Sequence, residues 1–142
     1  MIIRAYRDTD QDAVVQLWHL TGLTTPQNNP VMDIKRKQRV DPDLFLVATQ
    51  EQNGSEKLLG TVMGGYEGHR GWINYMGVLP DYQRRGIATL MIKEIESLLG
   101  KRGCPKINLQ VRGSNSHAIE FYRALGYLND KVVGLGKRLE HD

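Results

Sequence analysis

Between Trp72 and Val111 the chain reads strand, basic turn, helix, strand, and that succession is the tightest constraint on its fold. The apolar run Trp72 to Val78 leads into Gln83-Arg84-Arg85-Gly86-Ile87-Ala88, which opens an amphipathic helix over Thr89 to Leu99, stopped by Gly100. Ile107 to Val111 is apolar again. A strand, a crossover helix and a second strand predict two parallel strands joined by a right-handed connection. The turn also carries chemistry. The first N–H groups of a helix have no partner inside it, and the helix dipole adds partial positive charge there. Gly86 removes the Cβ that would hold an anion away from those donors. Arg84 and Arg85 add fixed, fork-shaped cationic donors. Backbone N–H groups from about Arg84 to Thr89 therefore form a candidate phosphate cradle. The chain holds no G-x-G-x-x-G and no G-x-x-x-x-G-K-[ST], which argues against dinucleotides and triphosphate hydrolysis.

A second segment, Asn115-Ser116-His117-Ala118-Ile119-Glu120-Phe121-Tyr122-Arg123-Ala124-Leu125-Gly126-Tyr127, follows the strand Lys106 to Val111. Asn115 and Ser116 are N-cap types. Ala118, Phe121, Tyr122 and Leu125 share one helical face. Gly126 stands where a helix C-terminus favours positive φ. Tyr122 is thus a phenol on the inward face of a short helix.

The two segments together resemble the GNAT superfamily of acetyl-CoA-dependent N-acetyltransferases. The family motif [QR]-x-x-G-x-[GA] is matched at Gln83, Gly86 and Ala88, and N-x-x-A-x-x-x-Y-x-x-x-G-[FY] at Asn115, Ala118, Tyr122, Gly126 and Tyr127. The resemblance runs from Ile2 to about Leu139. It extends to the small bacterial YpeA-like group and to the peptide N-terminal acetyltransferases that modify ribosomal proteins. It implies an α/β (α+β) GNAT fold with a mixed central sheet, splayed parallel fourth and fifth strands, and helices on both faces.

The resemblance also implies a reaction. An amine would attack the thioester of acetyl-CoA directly in a ternary complex. Gln83, Arg84, Arg85, Gly86, Ile87, Ala88 and Thr89 would anchor the pyrophosphate, and Asn115 would bond the pantetheine arm. Met76, Gly77 and Val78 on the fourth strand would pair with the arm and polarise the thioester carbonyl. Gly77 is read as a bulge, a close backbone approach or a simple packing need. Tyr122 would protonate the leaving thiolate. Glu67 and His69, between the third and fourth strands, are candidate bases, with Tyr75 a third. The acceptor would be a peptide α-amine or a small-molecule amine. A non-catalytic acyl-CoA-binding regulatory module is the alternative.

The rest of the sequence fits one continuous domain over residues 1–142, without linker or repeat. A net charge of +3 suits an anionic cofactor and is too dispersed to indicate nucleic acid. The densest basic run, Lys35-Arg36-Lys37 with Arg39, is flanked by Asp33 and Asp41 and reads as a solvated helix face. The lone Cys104 excludes an internal disulfide, and no metal-ligand spacing occurs. No run approaches 18 apolar residues and no secretory pattern opens the chain, so a cytoplasmic monomer or homodimer without membrane contact is expected. Thr9 to Asp12 resembles a capping box opening a helix to about Leu20. Gln52-Asn53-Gly54-Ser55 is a hairpin turn. Strands are expected over Ile2–Tyr6, Leu44–Thr49 and Leu58–Tyr66, with a short polar helix over Met32–Val40. A last hairpin is expected, with one strand starting at Tyr127 and another over Val132 to Leu139.

Overall fold

A computed structural model describes residues 1–142. The chain divides into two compact units, Met1–Asn108 with Asp142, and Leu109–His141. The first unit carries four strands, β1 (Ile2–Ala5), β2 (Phe45–Gln52), β3 (Ser55–Tyr66) and β4 (Gly71–Val78). It also holds α1 (Gln11–Leu20), α2 (Pro30–Val40) and α3 (Ile87–Lys101). The short β5 (Ile107–Leu109) straddles the division, and α4 (Ser116–Ala124) belongs to the second unit. The sheet order is β1-β2-β3-β4-β5. Its first three pairings are antiparallel, and β4 and β5 are parallel across the α3 connection.

Two cores explain this order. On one face Val14, Leu17 and Trp18 of α1 and Ile34 of α2 pack with Tyr6, Phe45, Val47 and Met63. Tyr6 stacks on Phe45 at 4.5 Å. On the other face Met91 and Ile95 of α3 lie over β3, where Gly60 and Gly64 have no side chain to hold them off. Phe45 to Thr49 is buried throughout, as a strand covered on both faces must be, so its sequence reads as an apolar run with no alternation. Asn53 (φ +52) and Gly54 (φ +80) close the β2–β3 hairpin as a two-residue turn of the primed kind.

Several boundaries differ from those the sequence suggested. The helix after Gly86 passes through Gly100 to Lys101, because the capping geometry forms one turn later. Cys104 N–H bonds Leu99 C=O (3.1 Å) and Gly103 N–H bonds Gly100 C=O (3.0 Å), the paired Schellman bonds. The start of α1 is not capped through Thr9. Asp10 instead accepts the Arg7 backbone N–H at 2.8 Å and closes a 3₁₀ turn over Asp8–Asp10. The strand after Lys106 ends at Leu109, two residues short of Val111. The expected closing hairpin is absent: no strand forms after Tyr127, and Val132, Val133, Leu135 and Leu139 are exposed. Asn129 turns its side chain onto the Lys131 N–H (2.7 Å), where φ is +55, and Gly134 and Gly136 interrupt the apolar run that would have paired.

The basic helix face is not freely solvated either. Arg36 bonds Asp33 (3.2 Å) and both carboxylate oxygens of Asp142 (2.8 Å each). Lys37 pairs with Asp41 (2.5 Å) and donates to the Gly64 carbonyl.

Candidate active site

In the first unit Met76 to Thr89 lie at the C-terminal end of β4 and the start of α3. Leu79 to Gln83 turns through a 3₁₀ segment, and the Gln83 side-chain amide donates to the Val78 carbonyl at 3.0 Å. That bond ties the turn to the strand end. Arg84 (φ +62) and Gly86 (φ +84) both take left-handed backbone, with Arg85 between them. A Cβ on Gly86 would meet nothing within 4 Å, so the approach to the helix start is open. Gly86 is the N-cap of α3, and no side chain caps the helix. The N–H groups of Ile87, Ala88 and Thr89 therefore have no intrahelical partner and face an exposed, basic turn. The Arg85 guanidinium stands over the Tyr82 ring at 5.0 Å.

The strand leading into this turn carries a β-bulge. Thr61 pairs with Gly77, but Met63 pairs with Asn74, so Tyr75 and Met76 together oppose Val62. Tyr75 has φ +50, a rare backbone for an aromatic residue. The bulge thus lies at Tyr75–Met76, just before Gly77. Gly77 itself is a packing glycine: a Cβ there would come within 2.8 Å of Leu23 and 3.3 Å of Leu17. No signal in the sequence marked Tyr75 as the bulged position, since glycine is the residue one looks for.

Glu67 sits at the other end of β4, about 23 Å from Val78 by strand rise. Its carboxylate accepts the backbone N–H groups of His69 and of Arg70 (2.5 Å), which closes the β3–β4 turn. Those bonds hold its pKa below the ordinary carboxylate value. This placement does not bring Glu67 to the Met76–Val78 end, and it gives the carboxylate a turn-closing task. His69 lies in the same turn.

In the second unit, Asn115 is the N-cap of α4, and its side-chain oxygen accepts the Ala118 N–H at 3.1 Å. The carboxamide nitrogen carries two further donors. Tyr122 packs edge-on against Phe121 (5.0 Å) and Tyr127 (5.7 Å). Burial pushes its phenol up to about 12. Gly126 (φ +96) ends the helix, with Tyr127 N–H bonding Tyr122 C=O at 3.0 Å.

The profile of the acetyltransferase (GNAT) family matches residues 12–127. This chain belongs to the GNAT acetyltransferase family. An acetyltransferase of Sodalis glossinidius is 51% identical over 143 residues, covering all of this chain and 98% of that protein. Among solved structures, the ribosomal-protein-S18-alanine N-acetyltransferase of Escherichia coli superimposes with a TM-score of 0.69 at 24% identity, over 88% of this chain and 76% of that one. AAC(6')-Iy in complex with the bisubstrate analog CoA-S-monomethyl-acetylneamine gives 0.74 at 17% identity, over 96% and 97%. At those identities the likeness is one of fold. The GNAT acetyltransferase described here shares its sheet and helix arrangement with both enzymes.

Proposed function

We propose that this GNAT acetyltransferase takes acetyl-CoA as co-substrate along β4 and the start of α3, residues 1–142 working as one acetyltransferase domain, and passes the acetyl group to a primary amine. The observation that carries this reading is the uncapped N-terminus of α3, open at Gly86 and following directly on a bulged strand. Arg84 to Thr89 would hold the pyrophosphate by backbone N–H groups, with Gln83 fixing the turn from behind. Met76, Gly77 and Val78 would meet the pantetheine arm and the thioester carbonyl. A bulge takes its extra residue out of the ladder and so leaves backbone donors available where charge develops on that oxygen. Asn115 would bond the arm through its carboxamide.

In the reaction the amine nitrogen attacks the acetyl carbon, the C–S bond breaks, and the amine proton is lost as the thiolate gains one. Tyr122 would donate a hydrogen bond to the departing sulfur. The acceptor we favour is a peptide α-amine. An α-amine ionises near 7.7–8.0, against about 10.4 for a lysine side chain, so it arrives partly neutral and asks little of a base. That suits a chain whose Glu67 carboxylate closes a turn at the far end of β4. A small-molecule amine is the second reading, supported by the fold shared with an aminoglycoside antibiotic 6'-N-acetyltransferase.

Two measurements test this. Gly86→Glu places a side chain and a negative charge in the open turn. Calorimetric CoA affinity should collapse in that variant while the fold, by circular dichroism, is kept; an unchanged affinity removes the α3 assignment. Acetyl-CoA turnover against peptides, polyamines and amino acids, read by mass spectrometry, identifies the acceptor. Acetylation of polyamines or amino acids alone rejects the peptide reading and leaves the cofactor reading standing.

A further inference from the structure

Tyr75 holds a left-handed backbone within β4. Such a backbone is strained for an aromatic residue and persists only where the surroundings over-determine it. Three ties do so. The ring stacks on Trp18 with centroids 3.8 Å apart and planes 15° off parallel. The hydroxyl donates to Asp33 of α2 at 2.6 Å. The carbonyl accepts the Thr61 hydroxyl at 2.8 Å. Thr61 in turn accepts the Trp18 indole N–H at 2.9 Å. Thr61 and Trp18 are both fully buried. One hydroxyl therefore receives a proton donor from α1 and directs its own proton at the backbone of the bulge. A buried hydroxyl with both roles filled has a fixed direction, since rotating it would orphan the Trp18 N–H and the Tyr75 carbonyl together.

We propose that Thr61, oriented by Trp18, is a positioning residue for acetyl transfer: its bond to the Tyr75 carbonyl holds the β4 bulge in the register that turns the Met76–Val78 backbone toward the acyl group. The proposal rests on the reading that acetyl-CoA lies along β4. Without the Thr61 hydroxyl, the Tyr75 carbonyl loses this bond and the bulge loses that tie to β3. The bulge can then relax toward regular pairing with Val62, which swings the following N–H groups away. Cofactor anchoring at the α3 turn is untouched by this, because Gln83 ties that turn to Val78 independently. The loss should therefore fall on the transition state and leave affinity in place.

Thr61→Val has the same shape and lacks the hydroxyl. The expected result is a fall in kcat of about tenfold or more with KM for acetyl-CoA within about threefold, less than the roughly 10²–10³ of a deleted oxyanion donor because the donors are displaced and not removed. Thr61→Ser, which restores the hydroxyl, should recover most of the activity. The amide resonances of Met76 and Gly77 should move in Thr61→Val and return in Thr61→Ser. Equal losses in Thr61→Val and Thr61→Ser would mean the methyl matters and the hydroxyl does not, and overturn the proposal. So would a folded Thr61→Val protein with wild-type kcat. Should Thr61→Val not fold, Trp18→Phe removes only the indole N–H and part of the ring. It should lower kcat with KM unchanged, and wild-type kcat in that variant overturns the proposal in the same way. A wild-type chain that neither binds nor turns over acetyl-CoA rejects the functional reading itself, and the Met76 and Gly77 resonances still report whether Thr61 holds the bulge.

Discussion

A phenol held at about 12 by burial is a poor acid, and that limits what Tyr122 can do for a departing sulfur. A free thiol ionises near 8.5, so complete transfer from Tyr122 would be uphill by roughly 5 kcal/mol. Hydrogen-bond donation as negative charge builds on sulfur needs no such transfer. Tyr122→Phe should cut kcat by at least about tenfold with little change in CoA affinity. The raised pKa keeps the hydroxyl neutral throughout pH 6–9, so the loss should be uniform across that window. A kcat ratio that changes with pH there would assign a titrating role instead. Glu67 calls for the opposite expectation. Glu67→Gln should leave kcat within about twofold, since the carboxylate closes a turn, and the cost should appear in Tm. Its folded pKa is depressed, so its contribution is present above the unfolded value and disappears as pH falls through the folded one. Wild type and Glu67→Gln should therefore differ in Tm at pH 7 and converge as pH falls below the folded pKa. The sequence marks Glu67 as a turn residue between two strands and, through the family resemblance, as a candidate base. That the carboxylate folds back onto its own backbone depends on turn geometry, which composition does not carry. Helical spacing places Tyr122 on the inward face of its helix, and the role proposed for it comes from the family motif.

The glycines of β3 and of the α3 turn do different work, and substitution separates them. A Cβ at Gly64 would lie 2.6 Å from Ile95 Cγ1, inside the contact between sheet and helix. Gly64→Ala should cost about 2 kcal/mol through overpacking, read as a shift in the urea midpoint. At Gly86 space is open and only the left-handed backbone resists, so Gly86→Ala should cost about 1 kcal/mol and weaken CoA binding far less than Gly86→Glu. Elements of this kind were largely readable beforehand. The strand-turn-helix-strand unit follows from apolar runs broken by Gly86, and the β2–β3 hairpin from Asn53-Gly54. The misreadings have a common source. Gly100 looks like a stop, but the stop is set by which residue reaches left-handed backbone, and Gly103 does so. Val132 to Leu139 looks like a strand, but a strand needs a partner, and nothing local in the sequence says whether one forms.

At the scale of the molecule, α1 and the sheet edge are locked by charge. Arg4 bonds both oxygens of Asp10 (2.8 and 2.9 Å) and also reaches Glu56 (2.5 Å), bringing β1, the entry to α1 and β3 to one guanidinium. Burial on its own would raise the Asp10 pKa; bonds from Arg4 and from the Arg7 N–H outweigh it and hold the carboxyl below its usual range. The sign is therefore that of a stabilising carboxylate. Its contribution is full above the unfolded pKa near 3.9 and lost as pH falls through the folded value. Asp10→Asn should destabilise by about 3 kcal/mol at pH 7, leaving Arg4 partly unpaired, and by much less once pH falls below the folded pKa. The stack of Trp18 on Tyr75 has an optical consequence. Those rings meet only when α1, β3 and β4 have all assembled, and Tyr75 belongs to the bulge proposed to receive the acyl group. With Trp72→Phe, Trp18 becomes the sole indole, and its emission would track both tertiary assembly and ligand arrival at β4, so the chain carries a native fluorophore wired to its candidate reaction centre.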